Sequence, residues 1–237
     1  MLFLAVFCGF LAENQREHMI EHQRAKVYAS NLYQELMKDT AGINKTIQDI
    51  RITAGKLDSF CLLGTDKQKY NVTTGMLYYY ASYTTSINLY ASENTTIEQL
   101  KGSGNLRIMG NNISQLISVY EKKLKGLENE YGLTRPEFAK IEELYFKIFD
   151  GYAIRRLLRE GDPQHRDSVN SQPQVRDSVL KLNTSLINED PAIMKELIGW
   201  LAFESLIYQN QIKNFLLPLK QTAIELLALL KKEYHLN

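Results

Sequence analysis

Apolar residues fill an unbroken run from Leu2 to Ala12 (LFLAVFCGFLA), and the pattern switches at once to a charged, helix-favouring run from Glu13 to Ala29. As a helix, the first run is apolar around its whole circumference. Beyond it the apolar positions narrow to one face. Tyr28, Leu32, Leu36, Ile43, Ile47, Ile50, Ala54 and Leu57 recur at spacings of three and four, and no proline intervenes. This predicts one long helix from Glu13 to about Phe60 with a heptad-like seam in its second half. If continuous, its ~48 residues extend about 70 Å at 1.5 Å each.

The turn-rich stretch Gly64 to Asn71 ends that helix, and Thr73 or Thr74 can cap a short one through Met76, Leu77, Tyr80 and Tyr83. Tyr78, Tyr79, Tyr80, Tyr83 and Tyr90 make this the most aromatic part of the chain. Thr95-Thr96-Ile97-Glu98 reads as a capping box opening a helix that Gly102-Ser103-Gly104 breaks. Asn111 or Asn112 then starts a helix with Ile113, Leu116, Ile117, Tyr120, Leu124 and Leu127 on one stripe, ending at Gly132. Thr134, Pro136 and Glu137 start the next, which carries Ile141, Leu144, Tyr145, Ile148, Phe149, Tyr152 and Leu157 toward Gly161. The loop between these two is so short that they should be antiparallel neighbours.

Gly161 to Pro173 is the most polar stretch and reads as a loop. From about Gln174 a helix with Val175, Val179, Leu182 and Leu186 is expected, followed by a new start at Asp190-Pro191. From Ala192 to Tyr234 the pattern is helical throughout, with a kink predicted at Pro218, whose ring crowds the carbonyl of Asn214. Lys231, Lys232 and His235 suit the negative end of that helix. The architecture these elements predict is all-α: an elongated helical bundle in which two long terminal helices pair antiparallel and the shorter central helices lie against one half of the pair.

The first run also predicts a location. A span needs about 20 apolar residues, and Leu2 to Ala12 supplies roughly half, so residues 1–12 read as a partial transmembrane or membrane-inserted anchor ahead of one helical domain, 13–237. No basic residue precedes Leu2, and Phe10 would sit at −3 of cleavage after Ala12, which argues against a removable signal peptide. Bulky Phe7 before Cys8 argues against lipid attachment at that cysteine.

Net charge of +1 with acids and bases interspersed leaves no basic stripe for phosphates, so nucleic acid is not an expected partner. Cys8 and Cys61 are the two cysteines, too few for a disulfide framework or a cysteine metal site. The Asn-x-Ser/Thr triplets at Asn44, Asn71, Asn94, Asn112 and Asn183 read as Asn and Thr abundance in a bacterial chain rather than as glycan acceptors.

His18-Met19-Ile20-Glu21-His22 has the spacing of an inverted zinc-protease motif, yet a catalytic zinc needs a third ligand and a shaped cavity. On a helix dense in Glu, Gln and Arg this pattern reads as a solvated face. The glycines of Gly102-Ser103-Gly104 lack the strand and the acidic residue of a dinucleotide fingerprint. Arg107 behind them would meet an anionic ligand or, more commonly, cap a neighbouring carbonyl or pair with a nearby acid. Cys61 has no histidine near it in sequence. No catalytic, cofactor-binding or metal residue is therefore assigned.

Three stretches, Gly9-Phe10-Leu11-Ala12-Glu13-Asn14, Glu98-Gln99-Leu100-Lys101-Gly102-Ser103-Gly104-Asn105-Leu106-Arg107-Ile108 and Leu230-Lys231-Lys232-Glu233-Tyr234-His235-Leu236, resemble a family of uncharacterised bacterial single-pass membrane proteins, a domain of unknown function. That resemblance implies an N-terminal anchor whose upstream part is missing here, a helical domain placed in the periplasm, and no known activity or ligand. The expected role is a non-enzymatic, membrane-anchored module that binds a protein partner or its own copies. The alternatives are a small-ligand sensing domain using the Tyr78 to Tyr83 cluster and, more remotely, a zinc hydrolase at His18 and His22.

Overall fold

The computed structural model describes residues 2–84, 89–133, 135–153, 180 and 184–236, and the regular elements among them are all helical. The all-α class read from the periodicity is the class observed. The expected loop at Gly161 to Pro173, the cap at Thr134 and the helix through Val175, Val179 and Leu182 lie outside the described residues.

Helix α1 runs Leu2–Thr65, so the apolar run and the charged run are one helix with no break at Ala12. Its buried positions follow a seven-residue repeat: Ala29, Leu36, Ile43, Ile50 and Leu57 form one row, and Ala25, Leu32 and Asp39 the other. Ala25 and Ala29 take the face on which Tyr28 was expected, and Tyr28 is half-buried.

One expectation is overturned here. No helix among the described residues is long and apolar enough to cross a membrane. Glu13, Arg16 and Glu17 follow the apolar run within two turns, so any window of spanning length along α1 takes in charges whose transfer into hydrocarbon is costly. The single-pass transmembrane reading, and the periplasmic placement built on it, fall with that finding.

The remaining elements are α2 (Thr74–Ala81), α3 (Thr95–Gly102), a 3-10 turn (Asn105–Met109), α4 (Asn111–Leu133), α5 (Arg135–Ile148), α6 (Pro191–Gln211), a π turn (Ile212–Leu216) and α7 (Leu217–Tyr234). Thr73 caps α2 by accepting from the Met76 amide at 3.2 Å, and Asp190 caps α6 ahead of Pro191, both as the sequence predicts. The capping box at Thr95 is not what starts α3. Asn94 is the cap residue, in a left-handed conformation with no side-chain bond, and Glu35 of α1 supplies the acceptor instead. Its carboxylate takes the Thr96 amide at 3.0 Å and the Thr96 hydroxyl at 2.7 Å. A carboxylate from a neighbouring helix thus does what the local box would have done. Pro218 falls in the first turn of α7, and the disturbance it imposes appears just before it as the π turn.

The chain divides into two compact units. The first comprises Met1–Lys45, Tyr90–Leu127 and Phe215–Asn237. There Leu32, Leu36 and Ile43 of α1, Ile113 and Ile117 of α4, and Leu226 of α7 are buried. The second comprises Thr46–Leu89 and Glu128–Asn214. Its centre is aromatic: Phe149 lies 5.1 Å edge-on to Tyr78, 5.1 Å from Tyr145 and 6.1 Å from Phe60. Tyr152, expected on the same buried face, is exposed. Leu186, expected in a helix, is buried in an irregular stretch that follows Ser185, whose carbonyl accepts from the Tyr78 hydroxyl.

Within the second unit the end of α1 meets α6. The Cys61 thiol points at the Ile198 carbonyl at 3.6 Å, and a Cβ on Gly64 would come within 2.7 Å of Ile198 Cδ1. A side chain at Gly64 would make Ile198 shift, and the approach brings the end of one terminal helix beside the first half of the other, the contact an antiparallel pairing calls for.

Candidate functional site

The residues singled out from the sequence do not converge. His18 and His22 are exposed on α1, and Glu21 between them is engaged by Arg107, whose guanidinium lies 3.0 Å from its carboxylate. Arg107 therefore takes the neighbouring-acid alternative. Among the described residues no group of three or more His, Cys, Asp or Glu is placed to hold a metal ion. Burial pushes the Cys61 thiol up to about 11, which leaves it protonated at neutral pH and a poor nucleophile.

The tyrosine cluster is occupied by its own chain. Lys56 of α1 places its ammonium 5.0 Å from the Tyr79 ring centre, 5.5 Å from Tyr80 and 5.7 Å from Tyr83, and donates to the Tyr79 hydroxyl at 3.2 Å. Tyr78 turns the other way, donating to Ser185 and accepting from the Asp150 amide at 3.0 Å.

Two buried carboxylates stand out, and neither was found from the sequence. In the first unit Asp39 accepts from the Ser92 hydroxyl at 2.7 Å and from the Tyr120 hydroxyl at 2.6 Å. Tyr90 belongs to the same group, its ring seated where a Cβ on Gly42 would come within 3.2 Å. Burial, and then the Asp39 charge, hold the Tyr120 phenol well above its ordinary range, so it stays a donor. This carboxylate ties α1 to α4 and to the segment that leads into α3. Its signal was its register: Asp39 continues the spacing of Ala25 and Leu32.

In the second unit Glu204 of α6 is 3% exposed, and burial raises its carboxyl to about 7. A hydrogen bond from Tyr208 opposes that rise and the charge of Glu137 on α5 adds to it. Glu204 Oε2 and Glu137 Oε2 are both buried without a hydrogen-bond partner. Here too the register was visible, since Glu204 shares the stripe of Leu197, Leu201 and Tyr208.

The most distinctive surface is the start of α1. Every residue from Val6 to Ile20 is exposed, Val6 at 67% and Phe10 at 70%, and the first buried side chain is Ala25. The helix therefore extends as an arm with an apolar tip and a charged shaft, on which Glu13 and Arg16 pair one turn apart. Comparison with models of known families finds no match, and neither the curated proteins nor the solved structures give one.

Proposed function

We propose that the chain is a non-enzymatic helical interaction module whose α1 arm is the surface offered to a protein partner. The exposed apolar tip carries this reading. A contiguous cluster that includes Val6, Phe10 and Leu11 is the kind of surface that marks an interaction site. Each such side chain taken into an apolar groove contributes roughly 1.5–3 kcal/mol. A preformed helix that lays its apolar residues into a groove also loses little backbone freedom on docking. The Glu35 and Asp39 contacts fix the base from which the arm extends, so its direction is set before it meets a partner.

The test is a photo-crosslinking residue placed at position 10 in cells that make the protein, with the same residue at Lys122, an exposed position on α4, as control. A discrete adduct with a second protein is expected from position 10 and not from 122, and Val6→Ser with Leu11→Ser should abolish it while helical content stays unchanged. Adducts of equal yield from both positions, or none from position 10, would contradict the reading.

A further inference from the structure

Helix α6 carries its charge on the inside. From Leu197 to Tyr208 (LIGWLAFESLIY) the one charged residue is Glu204, and it is buried. The outward face holds Gly199, Ala202, Phe203 and Leu206, with Phe203 48% and Leu206 60% exposed and Trp200 edge-on to Phe203 at 6.4 Å. A helix that is apolar on both its sides is one that is covered on both sides. Charge returns to this face only at its ends. Lys195 and Glu196 stand at one end, Glu196 seven residues before Phe203, and Lys213, in the π turn, stands seven after Leu206; all three are exposed.

We propose that a second copy of this chain covers the face, the two α6 helices packing antiparallel about a two-fold axis that passes between Phe203 and Leu206. The occupant follows from the charge pattern. Setting Phe203 level with Leu206 of the partner subunit also sets Glu196 level with Lys213 of the partner subunit, and the symmetry repeats both contacts. A parallel pairing would set Lys213 against Lys213 of the partner subunit, and a foreign partner would have to bring its own complement. The face carries its complement already. Glu196 also touches Lys140 of α5 at 3.4 Å, an exposed pair that contributes little by itself and leaves the carboxylate open to a second cation. Specific interfaces bury about 1,200–2,000 Å² in total, and a single helical face lies at the small end of that range, so the dimer is concentration-dependent. This inference does not rest on the role of the α1 arm.

Sedimentation velocity of the full chain over a concentration series tests it. A monomer–dimer equilibrium is expected, weakened at least tenfold by Leu206→Glu and unaffected by Phe10→Ser on the arm. Glu196→Lys alone should weaken it several-fold, and adding Lys213→Glu should restore it. These two side chains are exposed, so their variants report on the interface without disturbing the core, and far-UV circular dichroism checks that each remains helical. The proposal is overturned by a monomer at every concentration, by a dimer that ignores Leu206→Glu, by a dimer lost with Phe10→Ser, or by a charge reversal that the second reversal does not rescue.

Discussion

Between about pH 4 and about pH 8 the protein is expected to lose roughly 3 kcal/mol of stability through Glu204 alone. Burial raises this carboxyl to about 7 in the folded chain, with Glu137 adding to the shift, whereas in the unfolded chain it titrates near ~4.3. Between those two values the folded state binds the extra proton, so stability is full below the unfolded value, falls as pH rises toward 7, and is flat above it. Each unit of difference is worth about 1.36 kcal/mol. Glu204→Gln removes the titration while keeping the size and shape of the side chain. The variant should match the parent near pH 4 and exceed it by about 2–3 kcal/mol near pH 8. Urea unfolding of both proteins across that range measures the difference, and two parallel curves would show that Glu204 is ionised and satisfied in the folded state.

The opposite sign is expected in the first unit. Asp39→Ala should cost about 3 kcal/mol, because it leaves the buried Tyr120 hydroxyl and the half-buried Ser92 hydroxyl without their acceptor. Each unsatisfied group costs about 1–3 kcal/mol. Asp39→Asn can keep its carbonyl oxygen at the Oδ2 position that accepts both hydroxyls and should cost less, while Tyr120→Phe removes a single donor and should cost about 1–2 kcal/mol. The order of the three, measured by chemical denaturation, distinguishes a hydrogen-bonded centre from mere filling of space. If Tyr120→Phe proved as damaging as Asp39→Ala, the single bond from the Tyr120 hydroxyl, and not the shared acceptor, would be what holds these elements together.

The two carboxylates also show where the sequence stopped being readable. Periodicity located the helices because burial of one face is a local pattern: the seam of α1 and the starts at Thr73 and Asp190 all depend on residues within one or two turns. It did not identify Asp39 or Glu204, because an acid on an apolar stripe is tolerated only if a partner distant in sequence is present. Ser92 and Tyr120 supply that partner for Asp39, whereas at Glu204 burial raises the carboxyl toward its neutral form. The same limit explains α3, where Glu35, sixty-one residues before Thr96, displaced the local capping box. It also explains the membrane reading. Eleven apolar residues met the composition of a span but not its length, and the charges that follow lie on the same helix. The apolar outer face of α6 was hidden by its strength, since a stretch apolar on all sides reads as core whichever side faces inward.

The central claim is that α1 leaves the first unit beyond the Glu21–Arg107 ion pair and that residues 8–20 extend from it as an exposed arm. Amide hydrogen exchange along α1 in the purified, dilute chain tests it most directly. Residues 8–20, all of them exposed, should exchange by local fraying, orders of magnitude faster than residues 29–60, which should approach the exchange of global unfolding. Protection of residues 8–20 equal to that of the seam would mean that the arm is packed in the chain by itself, and the claim that it awaits a partner would be wrong.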